Sequence, residues 1–313
     1  MNIETLDKNL LYDVLIIGGG PAGINAAIYA KRKGLKTGLI SKRTGGLLLD
    51  TAAIENYLGF ASITGVELTE EFKTHLDSVK VPVANEAVKS IKVNDTIKEL
   101  ILDDDSVYQS KSIIIATGRK PRKLNIQGED QYAGRGVTYC AICDAPLFME
   151  QDVVVAGGGN SAVEAVLDLA KIANSVTLVH RSQLRADQIL MDEMAKLDNV
   201  EIKLNTQILN ITGETLMDKI EVLNRETNES YGIKARGLFV EIGYLPSTSM
   251  FKGILDLNEI GEIIVDQYGQ TNIKGVFAAG DVTEMPYKQI IMAAGEGAKC
   301  ALAANDYLNT LNI

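Results

Sequence analysis

Only three cysteines occur among 313 residues, and histidines number two. So sparse a set cannot build the multi-disulfide framework of a small secreted scaffold. Positive charge is also in deficit. The formal net charge of −10 at pH 7 argues against a nucleic-acid surface, which needs a basic footprint, and against docking on anionic lipid. No apolar run is long enough to span a bilayer, and Met1 to Lys8 has neither the basic start nor the apolar stretch of a signal peptide. Low-complexity segments and long linkers are missing too. The expectation is a cytoplasmic protein that binds neither nucleic acid nor membrane. Its length, with 46% hydrophobic residues, accommodates two domains with substantial cores.

What is present is a repeated pattern. Tyr12 to Ile17 reads as a buried parallel strand, Gly23 to Lys33 as a helix closed by Gly34, and Lys36 to Ile40 as the next strand. Between the first strand and the helix lies Gly18-Gly-Gly20-Pro-Ala-Gly23. In that position glycines permit a tight turn and let backbone amides approach a pyrophosphate at the helix start. The pattern recurs with a strand over Asp152 to Ala156, the loop Gly157-Gly-Gly159-Asn160-Ser161-Ala162, a helix over Asn160 to Ala173 and a strand over Ser175 to Val179. Further strands are expected at Ser112–Ala116, Gly237–Glu241 and Gly275–Ala279, and Asp103 to Asp105 reads as a solvated hairpin tip.

The fold class is therefore α/β, with two Rossmann-like dinucleotide-binding domains, the second inserted in the first. Turn signals at Thr117-Gly118 and Gly243 to Pro246 place the boundaries at 1–116 with 246–313 and at 117–245.

The second strand of the first unit ends in Ser41-Lys42-Arg43, without the acid that usually holds the ribose of NAD. That of the second unit ends in His180-Arg181-Ser182-Gln-Leu-Arg185, whose guanidinium groups suit a 2′-phosphate and point to NADP. A merely solvated basic turn is the other reading.

Cys140-Ala-Ile-Cys143-Asp144 carries the reaction class. Two thiols at this spacing can close a disulfide, and Asp144 is placed to move a proton or to cap a helix. Half of a zinc site is the rival, but Cys300, His75 and His180 do not stand at ligand spacing, and no metal is expected. Cys300, in the alanine-rich stretch from Ala293 to Ala304, reads as a core thiol, and His75 as a surface residue.

In order along the chain, these motifs, closed by Gly280-Asp281, resemble those of the low-molecular-weight thioredoxin reductases over essentially the whole length. Ile54 to Tyr57, Gly136 to Cys140, Arg185 to Gln188 and Pro286 to Ile291 are also similar to the C-terminal reductase portion of the alkyl hydroperoxide reductase flavoprotein subunit.

The resemblance implies that electrons pass from NADPH through FAD to a Cys140–Cys143 disulfide, and then to thioredoxin or a glutaredoxin-like protein supplied in trans. It implies that Gly18, Gly20 and Gly23 cradle the FAD pyrophosphate. Gly45, Gly46, Asn56, Thr117, Gly118, Gly280 and Asp281 contact the same cofactor, and Lys288, Gln289 and Ile290 lie near its ring. Gly157, Gly159, Asn160, Ser161 and Ala162 would hold the nicotinamide cofactor, with His180, Arg181 and Arg185 at its 2′-phosphate. Cys143 would face the flavin, Cys140 would attack the protein substrate, and Asp144 would serve as acid and base. A homodimer is implied, as is rotation of one domain against the other at the crossings.

Two positions depart from the family pattern. Leu47 stands where the family has glutamine, and Ser182 replaces one arginine of the phosphate clamp. NADH as donor, a peroxiredoxin-linked thiol protein as acceptor, ferredoxin in place of nicotinamide, and a non-catalytic redox sensor are the competing expectations.

Overall fold

The computed structural model describes residues 5–51, 54–94 and 96–311. The first strand, β1 (Leu11–Ile17), runs into helix α1 (Pro21–Arg32) and strand β2 (Thr37–Ile40). Helix α2 (Gly65–Ser78) follows, its start fixed by a capping box in which Thr64 and Glu67 satisfy each other's backbone amides. Strands β3 (Val83–Ala84), β4 (Val88–Val93), β5 (Lys98–Leu102) and β6 (Val107–Ile115) complete the first pass. Asp103 to Asp105 forms the exposed turn between β5 and β6.

The chain then passes through β7 (Arg119–Pro121) into β8 (Val137–Thr138), helix α3 (Ala141–Asp144), β9 (Asp152–Gly157), α4 (Asn160–Leu169), β10 (Ser175–Val179), α5 (Gln188–Met194) and β11 (Val200–Lys203). A three-stranded antiparallel meander, β12 (Thr206–Gly213), β13 (Met217–Asn224) and β14 (Ser230–Lys234), precedes β15 (Gly237–Glu241). The return is made by β16 (Tyr244–Pro246), followed by β17 (Val276–Ala278) and the long helix α6 (Ile290–Thr310).

Residues 1–120 with 245–313 form one compact unit and residues 121–244 another. The crossings thus lie beyond Thr117-Gly118 on the way out and just before Leu245 on the way back. The reason is hydrogen bonding. Thr117 Oγ1 donates to the Ser247 carbonyl at 3.0 Å, the Ser247 amide donates to the Gly118 carbonyl at 2.9 Å, and Arg119 pairs with Asp281 at 3.2 Å. These bonds hold residues 117–119 to the first unit.

In the first unit the sheet order is β3-β2-β1-β6-β5-β4, and β17 adds in parallel beside the end of β6. β6 begins earlier than its apolar run suggests because its first residues pair antiparallel with β5. Its apolar end is enclosed between β1 and β17.

Strands buried on both faces need apolar residues without a break, and period-2 alternation then sorts them. Val14, Ile16 and Ile114 face α1 and α6. Leu15, Ile17, Ile113 and Ile115 face Phe251, Leu255 and Val282. The second unit repeats the plan with an all-parallel sheet, β11-β10-β9-β15-β8. Val153, Val155 and Phe239 pack under α4, while Val154, Leu238 and Val240 pack on the meander.

Several other element ends differ from the sequence reading, two of them for a visible reason. Helix α4 stops at Leu169, where the Asn199 side chain donates to the carbonyls of Ala170 and Ala173 and satisfies the frayed end. Strand β17 starts at Val276 because Gly275 adopts a φ of +75°, outside extended geometry.

Candidate functional site

In the first unit, the turn after β1 brings α1 hard against the sheet. Gly18 has a φ of +105°, and a Cβ there would strike the Ala116 carbonyl. A Cβ on Gly23 would fall on the Gly18 carbonyl. Gly20, at the helix cap, is different, since nothing lies within 4 Å of where its Cβ would point. The cap makes no side-chain hydrogen bond and the first turn holds no acid. The start of α1 therefore presents unsatisfied amides to open space, as a pyrophosphate site requires.

Several of the other expected cofactor residues lie at this end of α1. The Gly45 amide donates to the Gly19 carbonyl at 2.7 Å, and Gly46 approaches the Gly20 Cα. Gly280 approaches Ala22 of α1, and its amide donates to Glu296 of α6 at 2.7 Å. Asp281 sits beside it, paired with Arg119. The backbone of Thr117 passes next to Gly18. Asn56 Nδ2 donates to Gln289 Oε1 at 3.2 Å, and Gln289 caps α6 ahead of Ile290. The Lys288 ammonium pairs with Glu262 at 2.9 Å and donates to the Thr283 carbonyl, a partly buried tie within this unit.

The second unit repeats the loop with different chemistry. A Cβ on Gly157 would strike the Glu241 carbonyl, and Gly159 faces open space at a cap with no side-chain hydrogen bond and no acid. Ala162 is fully buried beneath the loop, while Asn160 and Ser161 are exposed. Asn160 and Asp187 bond reciprocally, each at 2.9 Å, and the Arg185 amide donates to the Gly158 carbonyl at 2.7 Å. The segment after β10 is thereby folded back over the loop.

The His180 ring covers Gly158, where a Cβ would lie 2.5 Å from the imidazole, and Ser182 Oγ lies 3.2 Å from Nε2. Burial, then the charges of Arg185 and Arg181, lower the imidazole's pKa from its usual value. Arg181 and Arg185 are exposed and form no ion pair among the described residues, which leaves both guanidinium groups for an anion.

The cysteine motif lies in this same unit, at the head of α3. Cys140 is half-buried and disulfide-bonded. The Cys143 side chain lies outside the described residues. Thr138, the last residue of β8, organises the turn: its hydroxyl accepts from the Cys140 amide at 3.2 Å and donates to Asp144 Oδ2. Asp144 makes no capping hydrogen bond through its side chain and is instead held toward the cysteine turn. Glu241, at the end of β15, accepts from the Ala141 amide at 3.3 Å. Burial, and secondarily the charge of Glu164, push its carboxyl up to about 7.

Cys300 is a separate matter. It is free and fully buried under Ala278, and burial pushes its thiol up to about 12. His75 is exposed on α2.

Thr138, Glu241 and Arg119 escaped the sequence reading. Glu241 had a local signal, an acid closing a strand that is otherwise apolar. The other two acquire roles only through contacts across the fold. Among the described residues no group of three or more metal-ligating side chains assembles, and no helix is long and apolar enough to cross a membrane.

Comparison with known proteins agrees with this fold. The family model described as pyridine nucleotide-disulphide oxidoreductase matches residues 12–297. An alkyl hydroperoxide reductase subunit of Escherichia coli is 47% identical over 311 residues, covering 97% of this chain and 60% of the relative. Its counterpart in Staphylococcus aureus is 46% identical over 303 residues, covering 95% of this chain and 59% of the relative. The chain thus spans about three fifths of the curated relatives it matches. Among solved structures, Lactococcus lactis thioredoxin reductase superposes with a TM-score of 0.83 at 38% identity, covering 96% of this chain and 99% of that one. This chain therefore belongs to the pyridine nucleotide-disulphide oxidoreductase family, as an oxidoreductase with two Rossmann-like units.

Proposed function

We propose that this protein is an NADPH-dependent disulfide reductase that uses FAD and a Cys140–Cys143 disulfide to reduce thioredoxin or a glutaredoxin-like protein. The observation that carries this reading is the disulfide-bonded Cys140 at the head of α3, with the Thr138–Asp144 pair beside it, in the unit that bears the second glycine loop.

The chain's own residues divide the work. Gly18, Gly20 and Gly23 fit the FAD pyrophosphate, because the first and third glycines let α1 come close and the second leaves room. Gly45, Gly46 and Asp281 frame the same end of α1. The flavin, when bound, supplies a carrier for two electrons between nicotinamide and disulfide. Gly157, Gly159, Asn160, Ser161 and Ala162 hold the nicotinamide cofactor's pyrophosphate, and Arg181 and Arg185 take the 2′-phosphate.

Reduction opens the Cys140–Cys143 disulfide to a dithiol. The Cys140 thiolate attacks one sulfur of the partner disulfide, forming a mixed disulfide as the partner's S–S bond breaks. The departing sulfur takes a proton, which Asp144 supplies. Cys143 then gives its proton to Asp144 and attacks the Cys140 sulfur; the mixed disulfide breaks, the internal disulfide re-forms, and the partner's second sulfur takes that proton and leaves as part of a dithiol. With thioredoxin near about −270 mV, this last exchange is close to balanced and is drawn forward by NADPH supply.

A second reading, reduction of a peroxiredoxin-linked thiol protein with NADH, is favoured by the 47% identity to the E. coli hydroperoxide reductase protein. Anaerobic reduction of the FAD-loaded protein, followed at the flavin absorbance, separates the two. NADPH should bleach the flavin faster than NADH, and added thioredoxin disulfide should reoxidise it through many turnovers. Faster bleaching by NADH overturns the donor assignment, and bleaching by reduced ferredoxin alone overturns the nicotinamide site.

A further inference from the structure

Glu241 ends a strand whose four preceding residues are all buried, in parallel register beside β8 and β9. Its backbone carbonyl packs on Gly157 of the nucleotide loop, while its carboxyl reaches the other way, to the Ala141 amide directly after Cys140. One residue thus touches both the nucleotide turn and the redox turn. Thr138 and Asp144 fasten the Cys140 amide and the far end of α3, and Glu241 supplies a further tie at the junction of Cys140 and the helix.

We infer that Glu241 is the positioning residue of the redox turn, its carboxylate holding the Ala141 amide and its negative charge restraining the thiolate of reduced Cys140.

A carboxylate accepts a hydrogen bond from an amide more strongly than the protonated acid does. Protonation therefore loosens the head of α3 and removes a charge from the turn that carries Cys140. The two effects are linked, and burial pushes the carboxyl up to about 7. Among the described residues, the charges that face it can be named. Glu164 on α4 opposes ionisation. On α3 the nearest acid, Asp144, is engaged by Thr138. At this end β8 and β9 contribute Thr138, Ala156 and Gly157, none of which ionises. As a carboxylate near a thiol, Glu241 raises the thiol's pKa, whereas a neutral amide in its place can still accept from Ala141.

The inference rests on Cys140 as the exchanging thiol, so its test is kept apart from turnover. In the oxidised, FAD-loaded wild type, the ¹⁵N–¹H resonance of Ala141 is followed from about pH 5.5 to about 8.5. It should shift with a midpoint near neutrality, and in Glu241→Gln it should stay flat. In the reduced proteins, the rate of Cys140 alkylation by iodoacetamide should be about three- to tenfold faster in Glu241→Gln at neutral pH. An Ala141 resonance that does not titrate in the wild type overturns the inference, and needs no variant to fold. Equal alkylation profiles in a folded Glu241→Gln overturn the charge effect. A titrating Ala141 in a protein that fails to reduce thioredoxin leaves the inference standing and removes the proposed acceptor instead.

Discussion

The two glycine loops have the same plan but different surroundings. In the first unit, α1 is squeezed between the sheet and α6. Gly23 abuts the Gly18 carbonyl, and Gly297 of α6 comes so close that a Cβ there would strike the Ala22 carbonyl. In the second unit the corresponding residue is Ala162, whose methyl group is accommodated. Among the described residues no long helix covers α4, and its neighbours are α5 and the short α3 that follows Cys140. The first unit packs the space around the helix after its glycine loop tightly, and the second leaves that space to the short α3 and α5. The strand ends differ in the same sense: Ser41 is buried under Gly19, whereas His180 covers Gly158 and leads into the two exposed arginines.

The largest expected effect separates chemistry from scaffold. Cys140→Ser should abolish thioredoxin reduction, measured by NADPH consumption, while the protein keeps its flavin and its reduction by NADPH. Loss of flavin as well would mean that the redox turn is also structural, and the contrast between the units would fail.

Next is packing. Gly23→Ala should destabilise the first unit by about 1–3 kcal/mol through backbone overlap and release FAD, read as flavin content and urea midpoint. Ala162→Gly in the second unit should cost no more than about 1 kcal/mol and leave flavin content unchanged. Equal losses would show that the two loops are packed alike.

The arginines come third. Arg181→Ala and Arg185→Ala should each raise the KM for NADPH by about tenfold or more, at about 1.5–3 kcal/mol per charge-assisted hydrogen bond, with the KM for NADH unmoved. A parallel rise for NADH would assign these residues to the loop fold and not to the 2′-phosphate.

Smallest is the pH dependence of His180, which has a non-titrating counterpart in Ser41. Its folded pKa lies below the usual value, so on acidification the unfolded chain takes up the proton first. Stability should therefore fall as pH drops below about 6.5 toward the lowered folded value. Urea unfolding across that window should show a shallower decline in His180→Gln than in the wild type.

How much of this was legible in advance follows from the range of each interaction. The continuous apolar runs at Tyr12–Ile17 and Asp152–Ala156 announced doubly covered parallel strands, because burial on both faces leaves no polar position to interrupt them. The glycine loops were equally plain, since a positive φ and close backbone approach exclude side chains. Thr138 gave no signal, as its role depends on a hydroxyl meeting Asp144 after the chain turns at Cys140. Lys288 shows the same limit of range: its pairing with Glu262, distant in sequence, had no local signal. The outgoing domain crossing moved from Thr117 to beyond Lys120 because Ser247 and Asp281 bond back across the chain.

The two glycine loops, the cysteine pair with its following acid, and their order follow from local sequence alone, since each is set by backbone sterics or covalent spacing within a few residues. Which side chains surround them depends on the fold. Glu241 beneath the Ala141 amide, Arg119 on Asp281, and α6 against α1 are contacts between segments far apart in the chain, fixed by sheet order and packing and not by local propensity.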